Sequence, residues 1–440
     1  MSNIAIGLAG LAAMVALLVI RVPIAYAMLV VGAAGVTWIS GSRIILAQLK
    51  NVAYTQFSIF DLTVLPLFLL MGALASRSGL SRDLFRGANA WLGRFRGGVA
   101  MATVAACGGF GAVCGSSLAT ASTMGQVALP QLRRLNYAPS LATGSIAAGG
   151  TLGILVPPSV VLIIYAIIIE ANIVTLFKAA LIPGLLAILM FIGTIAIYVR
   201  IRPEAGPRGE SVSGRELVDG TLALLPALVI FGVVIGGIYA GLYSPTPAAA
   251  IGAFLVALHG YGLRRLSFRD LIDSLLETAR TAGFIYLILL GATLLSIFMT
   301  RAGVPQAIAA YLHASGLSPM GILILVIVIF IVLGMLMDSL SMIILAIPFF
   351  WPVIIGLDFG MSPDDLKIWF GILALVVVEL GLITPPVGLN VFIIHSLAKD
   401  VPMRETFKGV MPFFASDVLR VALILTFPAM TLWLPHLVGS

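Results

Sequence analysis

The chain has 440 residues, of which 60% are apolar and 10% are charged, and its mean hydropathy is +1.14. Soluble domains carry about 25% charged residues, so this composition excludes a soluble enzyme, a disordered chain and a nucleic-acid-binding domain. The net charge of +7 is typical of a membrane protein whose basic residues are kept on the cytoplasmic side. We therefore expect an all-α polytopic membrane protein in a lipid bilayer, with no nucleic-acid partner.

Ten apolar runs have the length and composition of membrane spans. They cover residues 4–20, 22–40, 62–76, 138–169, 179–199, 221–241, 245–260, 281–299, 366–396 and 416–435. The first run lacks a basic n-region, so we expect a retained span with its N-terminus outside rather than a signal peptide. Residues 43–60, 78–96 and 264–280 mix basic and large apolar residues, a pattern typical of helices that lie in the membrane interface.

Two of the predicted spans contain a Pro-Pro pair, Pro157-Pro158 in 138–169 and Pro385-Pro386 in 366–396. Proline in a helix interior removes a backbone hydrogen bond and clashes with the preceding turn. Lipid cannot solvate the freed carbonyls, so such breaks must lie against protein or a wet cavity. We therefore interpret both spans as broken helices.

Segments 97–136 and 318–356 are apolar, but a small polar patch divides each of them. Re-entrant hairpins with buried polar tips fit both segments. For the first segment, an alternative is a pair of ordinary helices that pack through small residues.

Landmarks recur along the chain at an offset of about 224 residues. Pro23 matches Pro247 at an offset of 224, and Gly153 with its Pro-Pro pair matches Gly381 with the second pair at 228. The order predicts a first repeat over 1–199, a cytoplasmic linker over 200–220 and a second repeat over 221–440. Each repeat then makes five net crossings, and because five is odd the repeats must be inverted.

The basic residues agree with this topology. With the N-terminus outside, 20 of the 25 Lys and Arg residues fall on the inner face, as the positive-inside rule requires. The outer face then carries Arg43, Lys50, Lys178, Arg301 and Lys367. Both termini are expected on the outer side of the membrane.

Inverted repeats with broken helices place substrate and coupling-ion sites near the membrane midplane. Helix N-termini there suit a carboxylate, and the carbonyls at a break suit a small cation. We expect at least two sodium ions, one in each repeat. The predicted ion ligands are Gly115, Ser117, Gly149, Gly150 and Thr151 in the first repeat, and Asp338, Ser339, Ser341, Gly381 and Thr384 in the second. The predicted substrate-binding residues are Ser116, Ser117, Gly153, Pro157, Pro158, Pro385, Pro386 and Asn390.

Three further charged residues fall within the predicted spans. Glu379 lies just before the second break and is a candidate functional residue, because ionisable groups inside the membrane are costly. Asp417 and Arg420, three residues apart, can pair on one helix face.

Four sequences carry a family resemblance: GSSLATASTMGQVALP, AAGGTLGILVPPS, GMLMDS and LGLITPPVGLN. Together they resemble the large membrane subunit of tripartite ATP-independent periplasmic (TRAP) transporters, the DctM type. The resemblance implies a secondary transporter of the bacterial inner membrane, with an elevator-type transport domain on a scaffold. It also implies a small four-helix membrane subunit and a periplasmic binding protein that delivers an organic acid.

Three other functions remain as alternatives at this point. A self-sufficient sodium-coupled anion permease would lack the binding protein, and a channel would not need matched broken helices. An intramembrane enzyme needs a nucleophile with a nearby base, whereas Ser116 and Ser117 have no histidine near them in sequence. We therefore do not expect an enzyme.

Overall fold

A computed structural model describes residues 2–209, 213–314 and 316–438, without the side chains of residues 309 and 312–314. The described chain is helical throughout, which confirms the predicted all-α class. The helices of the N-terminal half are α1 (Asn3–Val19), α2 (Ile24–Ser40), α3 (Ser42–Phe57), α4 (Val64–Arg77), α5 (Leu80–Leu92), α6 (Gly98–Cys114), α7 (Ser117–Arg134), α8 (Pro139–Leu155), α9 (Val160–Ile169) and α10 (Ile173–Ile201).

The C-terminal half has a similar order of helices. They are α11 (Gly214–Phe231), α12 (Gly237–Tyr239), α13 (Pro245–Gly262), α14 (Phe268–Ala302), α15 (Val304–Ala314), α16 (Pro319–Gly334), α17 (Ser339–Ile354), α18 (Pro363–Leu382), α19 (Leu389–Leu397), α20 (Met403–Thr426) and α21 (Ala429–Val438). A π-helical turn, Gly232–Gly236, joins α11 to α12. In the described chain five helical segments are long and apolar enough to cross a membrane, and the bent pair α8–α9 forms a sixth.

The prediction of a separate interfacial helix at 264–280 is wrong. This segment is the first part of α14, which continues without interruption to Ala302. The corresponding region of the first half is divided into α3 and α4. One sequence difference is Pro66, which removes a backbone donor near the start of α4, whereas the residue 224 positions later is Leu290.

Two other predicted boundaries also change. The predicted span 416–435 is instead α20, which begins at Met403, followed by α21 after a break at residues 427–428. The connection between the halves lies between the end of α10 at Ile201 and the start of α11 at Gly214, whereas the predicted linker is 200–220, and it includes a 3-10 turn at Pro203–Ala205. Residues 210–212 of the linker, like residue 1 and residues 439–440 of the predicted repeats, lie outside the described residues.

The connection between the halves is bound to the base of the first hairpin. The Tyr137 hydroxyl donates to the Pro207 carbonyl at 2.9 Å and accepts from the Val99 N–H at 3.2 Å. The Gly97 N–H donates to the Gly206 carbonyl at 3.0 Å. Burial raises the pKa of Tyr137 to about 12.

The helices pack in two groups. In one group α14 packs against α2 and α4, and α4 also packs against α13. In the other, α8 packs against α6, α7 and α20, and α18 packs against α16. The halves exchange partners within this second group: α7 contacts α19, and α17 contacts α9. This exchange brings the second arm of each hairpin to the broken helix of the other half.

Candidate functional site

The tip of the first hairpin lies between α6 and α7. Gly115 ends α6 with a φ of +65°, a left-handed conformation that glycine adopts without strain. Ser116 is the N-cap of α7, and its Oγ accepts the Ala119 N–H at 3.4 Å. The tip therefore presents serine hydroxyls and a helix N-terminus inside the protein.

The break between α8 and α9 leaves two carbonyl oxygens without their helical hydrogen-bond donors. The two helices meet at an angle of 43°, and the Pro157-Pro158 peptide bond is cis, as is Pro385-Pro386. Because proline has no N–H, the carbonyls of Gly153 and Ile154 lack the donor that a helix normally supplies four residues later. Carbonyl oxygens of this kind are ligands that hard cations accept.

The hairpin tip lies directly on this break. A methyl group at Gly153 would lie 2.5 Å from the Ser116 carbonyl oxygen, and one at Gly111 would lie 2.6 Å from the Gly153 Cα. Thr120 also faces Gly153, and its buried hydroxyl has no oxygen or nitrogen hydrogen-bond partner among the described residues. The glycines thus permit an approach that larger residues would block. We call the tip at 115–117 and the break at 156–159 the first junction.

A buried hydrogen-bond network connects the first junction to the other half of the chain. The Asn390 amide Nδ2 donates to Ser117 Oγ at 2.9 Å and lies 3.2 Å from the Ala147 carbonyl. Asn390 is fully buried, and Ser117 is 2% exposed. The sequence predicted Asn390 as a substrate-binding residue of the second half, and the structure places its side chain against the first junction.

The second junction consists of the tip at 335–339 and the break at 383–388. Asp338 is the N-cap of α17; its carboxylate accepts the Ser341 N–H at 3.1 Å and the Ser341 hydroxyl at 2.6 Å. Gly381 packs against Gly334, where a methyl group at Gly381 would lie 2.7 Å from the Gly334 Cα. The contact parallels that between Gly153 and Gly111.

The carbonyls of the second break are partly used. The Thr384 hydroxyl donates to the Leu380 carbonyl at 2.5 Å, and the Thr384 N–H donates to the Gly381 carbonyl at 3.1 Å. Since Pro386 has no N–H, the Leu382 carbonyl lacks its helical donor. The Pro385-Pro386 pair therefore frees one carbonyl next to the second tip.

The structure brings most predicted residues to these junctions, with two exceptions. Gly150 contacts Ala121 and Asn390, but Gly149 faces Cys107 on α6. The Thr151 hydroxyl donates to the Ala148 carbonyl at 2.7 Å, within its own helix. The roles of all the predicted residues as ion ligands or substrate-binding residues stay predictions, including those at the junctions.

Sequence reasoning missed two features. Thr120 is four residues from Ser116, on the same face of α7, and this spacing was available in the sequence. The structure also joins Glu379 to Asp417 and Arg420. The pairing of the last two was visible as an i, i+3 spacing, but no local pattern indicated the third member.

These features define a polytopic α-helical membrane protein with two hairpin–break junctions, of which the first is largely buried and the second is partly exposed at Leu336, Pro385 and Pro386. The family model for the "Tripartite ATP-independent periplasmic transporter, DctM component" matches residues 11–430. The chain belongs to this family, whose members are transporter permease subunits and not enzymes. It is therefore a multi-pass membrane protein.

Two curated relatives illustrate the similarity. The chain is 35% identical over 383 residues to the C4-dicarboxylate TRAP transporter large permease protein DctM of Pseudomonas aeruginosa, covering 86% of this chain and 87% of that protein. It is 30% identical over 384 residues to the sialic acid TRAP transporter large permease protein SiaM of Vibrio cholerae, covering 86% and 87%.

One solved structure has a related fold. The YdaH transporter of Alcanivorax borkumensis aligns with a TM-score of 0.60 at 15% identity, covering 88% of this chain and 89% of that chain. At this identity the likeness concerns the fold alone.

Proposed function

We propose that this chain is the large permease subunit of a sodium-coupled secondary transporter that imports an organic acid delivered by a periplasmic binding protein. The family supports a secondary transporter of organic acids that works with a binding protein. Relatives at 28–35% identity are named for C4-dicarboxylates, sialic acid and isethionate, all of which are organic anions. Sodium coupling and the transport mechanism go beyond this family assignment.

The observation that carries the sodium proposal is the pairing of freed carbonyls with a hydroxyl-bearing tip. Gly153 and Ile154 lack their helical donors, and the Ser116 carbonyl and the Thr120 hydroxyl lie against Gly153. In the second half, the Leu382 carbonyl is freed beside the tip that carries Asp338 and Ser339. Each junction thus gathers oxygen atoms between a hairpin tip and a helix break.

The same junctions support binding of a carboxylate. The N-termini of α7 and α17 both point into the protein at the tips, and a helix N-terminus carries about half a positive charge. Moving a carboxylate from water into this interior is costly unless its charge is compensated. Sodium ions at the junctions provide that compensation, which couples anion binding to sodium.

The two helix groups support an elevator mechanism. The group around α2, α4, α13 and α14 contains neither junction and serves as the scaffold in this proposal. The group from α6 to α9 and α16 to α20 contains both junctions and moves as the transport domain. We place the subunit in the bacterial inner membrane with both termini in the periplasm, and assign the scaffold to contact a small four-helix membrane subunit.

The experiment that tests this function is uptake into proteoliposomes. The chain is reconstituted with its small membrane subunit, and the substrate is first identified on the binding protein by thermal shift across organic acids. We expect uptake to require a sodium gradient directed into the vesicles and to stop when choline replaces sodium. Unchanged uptake in choline would contradict sodium coupling, and equal uptake without the binding protein would favour a self-sufficient permease.

Reporter fusions test the topology separately. A fusion after Gly220 is expected to report the cytoplasm, and one after Ser440 the periplasm. A cytoplasmic C-terminus would overturn the inverted-repeat arrangement while leaving sodium coupling open to the uptake assay.

A further inference from the structure

A groove of about 650 Å³ lies between the end of α10 and the loop that joins α5 to α6. Half-buried apolar residues line it, including Ile192 and Ala196 of α10, and exposed arginines surround this apolar base. No described acidic residue lines it. We call it the arginine groove, after Arg94, Arg96, Arg200 and Arg208.

Backbone hydrogen bonds hold the arginines of two distant segments together. Arg96, before α6, and Arg208, in the connection between the halves, form an antiparallel β-bridge. The Gly209 N–H donates to the Gly93 carbonyl at 3.0 Å, next to this bridge. The two arginines are therefore fixed beside each other by the main chain, whatever their side chains bind.

This arrangement is unfavourable for the arginines by themselves. Residues directly opposite each other in an antiparallel pair have Cβ atoms about 4.5–5.5 Å apart, and like charges in such a pair are destabilising. None of the four arginines forms an ion pair with a described carboxylate, including Glu204, the described acidic residue nearest to Arg208 in sequence. An anion between Arg96 and Arg208 would relieve the repulsion, and two guanidinium groups match the geometry of a phosphate.

The groove opens at the end of a membrane span. α10 is long and apolar enough to cross a membrane, and its last turns expose Ile197 and Ile201. Trp91 and Phe95, near the groove on the α5 side, are exposed as well. Exposed aromatic residues next to arginines are typical of the headgroup level of a membrane, so the groove lies where the phosphates of lipids are found.

We propose that the arginine groove binds an anionic phospholipid, with its phosphate on Arg96 and Arg208 and an acyl chain against the apolar base. Basic pockets between helices at a membrane surface bind lipid headgroups in this way. A free phosphate would use the arginines but leave the apolar base uncovered, and a choline lipid brings its own positive charge to a site that already has four. The proposal does not depend on the transported substrate or on sodium coupling.

Native mass spectrometry of the purified full chain, released from detergent micelles, tests the proposal with three probes. They are phosphatidylglycerol, phosphatidylcholine with the same acyl chains, and glycerol 3-phosphate, which has no acyl chain. We expect phosphatidylglycerol to bind more tightly than phosphatidylcholine, and glycerol 3-phosphate not to be retained.

The double variant Arg96→Gln/Arg208→Gln keeps the backbone bridge and removes both charges. It should weaken phosphatidylglycerol binding about thirtyfold, because each arginine near a membrane surface contributes about a factor of five, and it should leave phosphatidylcholine binding unchanged. The matched control, Arg269→Gln/Arg280→Gln, removes two exposed arginines of α14 and should keep phosphatidylglycerol binding within about twofold of wild type.

Melting of the delipidated proteins separates lipid binding from a structural role. Without lipid, Arg96→Gln/Arg208→Gln should melt at the wild-type temperature or higher, because the repulsion between the arginines is gone. Added phosphatidylglycerol should raise the melting temperature of the wild type but not that of the variant. A delipidated variant that melts at a lower temperature than wild type would show that the arginines stabilise the chain itself, and would overturn the proposal.

Three binding results would also overturn it. They are equal binding of the two lipids by the wild type, phosphatidylglycerol binding that survives in the double variant, and binding of glycerol 3-phosphate as tight as that of the lipid, which would assign the groove to a free phosphate. If the double variant does not fold, the single variant Arg208→Gln, in the connection between the halves, should still weaken phosphatidylglycerol binding about fivefold, and unchanged binding there would count against the lipid.

Discussion

The two junctions use the same backbone contact but differ in charge. In the first, Gly153 packs against Gly111; in the second, Gly381 packs against Gly334. Two residues before these glycines, however, the first half has Thr151 and the second has Glu379. Thr151 is satisfied within its own helix, whereas Glu379 needs Arg420 from another helix.

The hairpin tips differ in charge as well, and again the second half has the charged residue. A neutral serine, Ser116, caps the first tip, and a carboxylate, Asp338, caps the second. The glycine contact thus serves a task that both halves share, which is to hold a tip against a break. Among these aligned positions only the second half has charged side chains, so the electrostatic environments of the two junctions differ.

The largest expected effect on stability comes from removing Arg420, which pairs with the buried Glu379 and Asp417. Arg420→Met leaves two buried carboxyl groups without their guanidinium, and breaking a buried ion pair in this way costs about 3–5 kcal/mol. We expect a large fall in the melting temperature of the purified protein in detergent.

Lys408→Met on the same helix is the matched control. Lys408 is exposed and pairs with Glu405 near the surface, so its replacement should change stability by about 0.5 kcal/mol or less. Similar losses in the two variants would contradict a special role for the buried cluster.

The shared glycine contact should be sensitive in both halves. Alanine normally stabilises a helix by about 0.5–1 kcal/mol relative to glycine. At Gly153 or Gly381 the added methyl group would overlap the opposing backbone, and overpacking of this kind costs about 1–3 kcal/mol. We expect both variants to lose thermal stability and uptake.

Gly193→Ala on α10 is the control, because apart from its own chain neighbours and helix backbone nothing lies within 4 Å of the added methyl group. It should be neutral or stabilising in the same melting assay. Loss of stability at only one of Gly153 and Gly381 would show that the junctions are not equivalent.

The hydrogen bond between the halves should have a smaller effect. Ser117→Ala removes the side-chain partner of Asn390 and leaves its contact with the Ala147 carbonyl. An intramolecular hydrogen bond contributes about 0.5–1.5 kcal/mol. A double-mutant cycle with Asn390→Ala should give a coupling energy of that size. A cycle that pairs Ser341→Ala with Asn390→Ala should show no coupling, and equal coupling in both cycles would contradict the direct bond. If the first junction binds sodium, Ser117→Ala should also raise the sodium concentration needed for half-maximal uptake.

Local sequence patterns predicted the tips and breaks because their signals are local. A Gly-Ser-Ser sequence and a Pro-Pro pair each interrupt a helix through their own backbone properties. The structure has helix ends at Gly115-Ser116-Ser117 and at both Pro-Pro pairs. Contacts between distant helices were not predictable in this way. Asn390 meets Ser117 across 273 residues, and Glu379 meets Arg420 across 41. The error at 264–280 has a similar origin, since an amphipathic pattern indicates a polar face but does not show where a helix ends.

The smallest expected effect tests the charge of the second junction. Glu379, Asp417 and Arg420 form one buried cluster. If one of its two carboxyl groups is protonated, the cluster has no net charge in the wild type, and it again has none in Glu379→Gln. Sodium bound near Gly381–Thr384 would then experience the same field, and the sodium concentration for half-maximal uptake should stay within about twofold. Thr384 is five residues from Glu379, which is about 8 Å at the rise of a helix. At that separation an ionised cluster would attract the sodium by about 2 kcal/mol at an effective dielectric constant of 20, and Glu379→Gln would raise the half-maximal sodium concentration by about thirtyfold. Uptake measured against sodium at neutral pH therefore distinguishes a protonated cluster from an ionised one, with Asp400→Asn as the variant in which neither model expects a change.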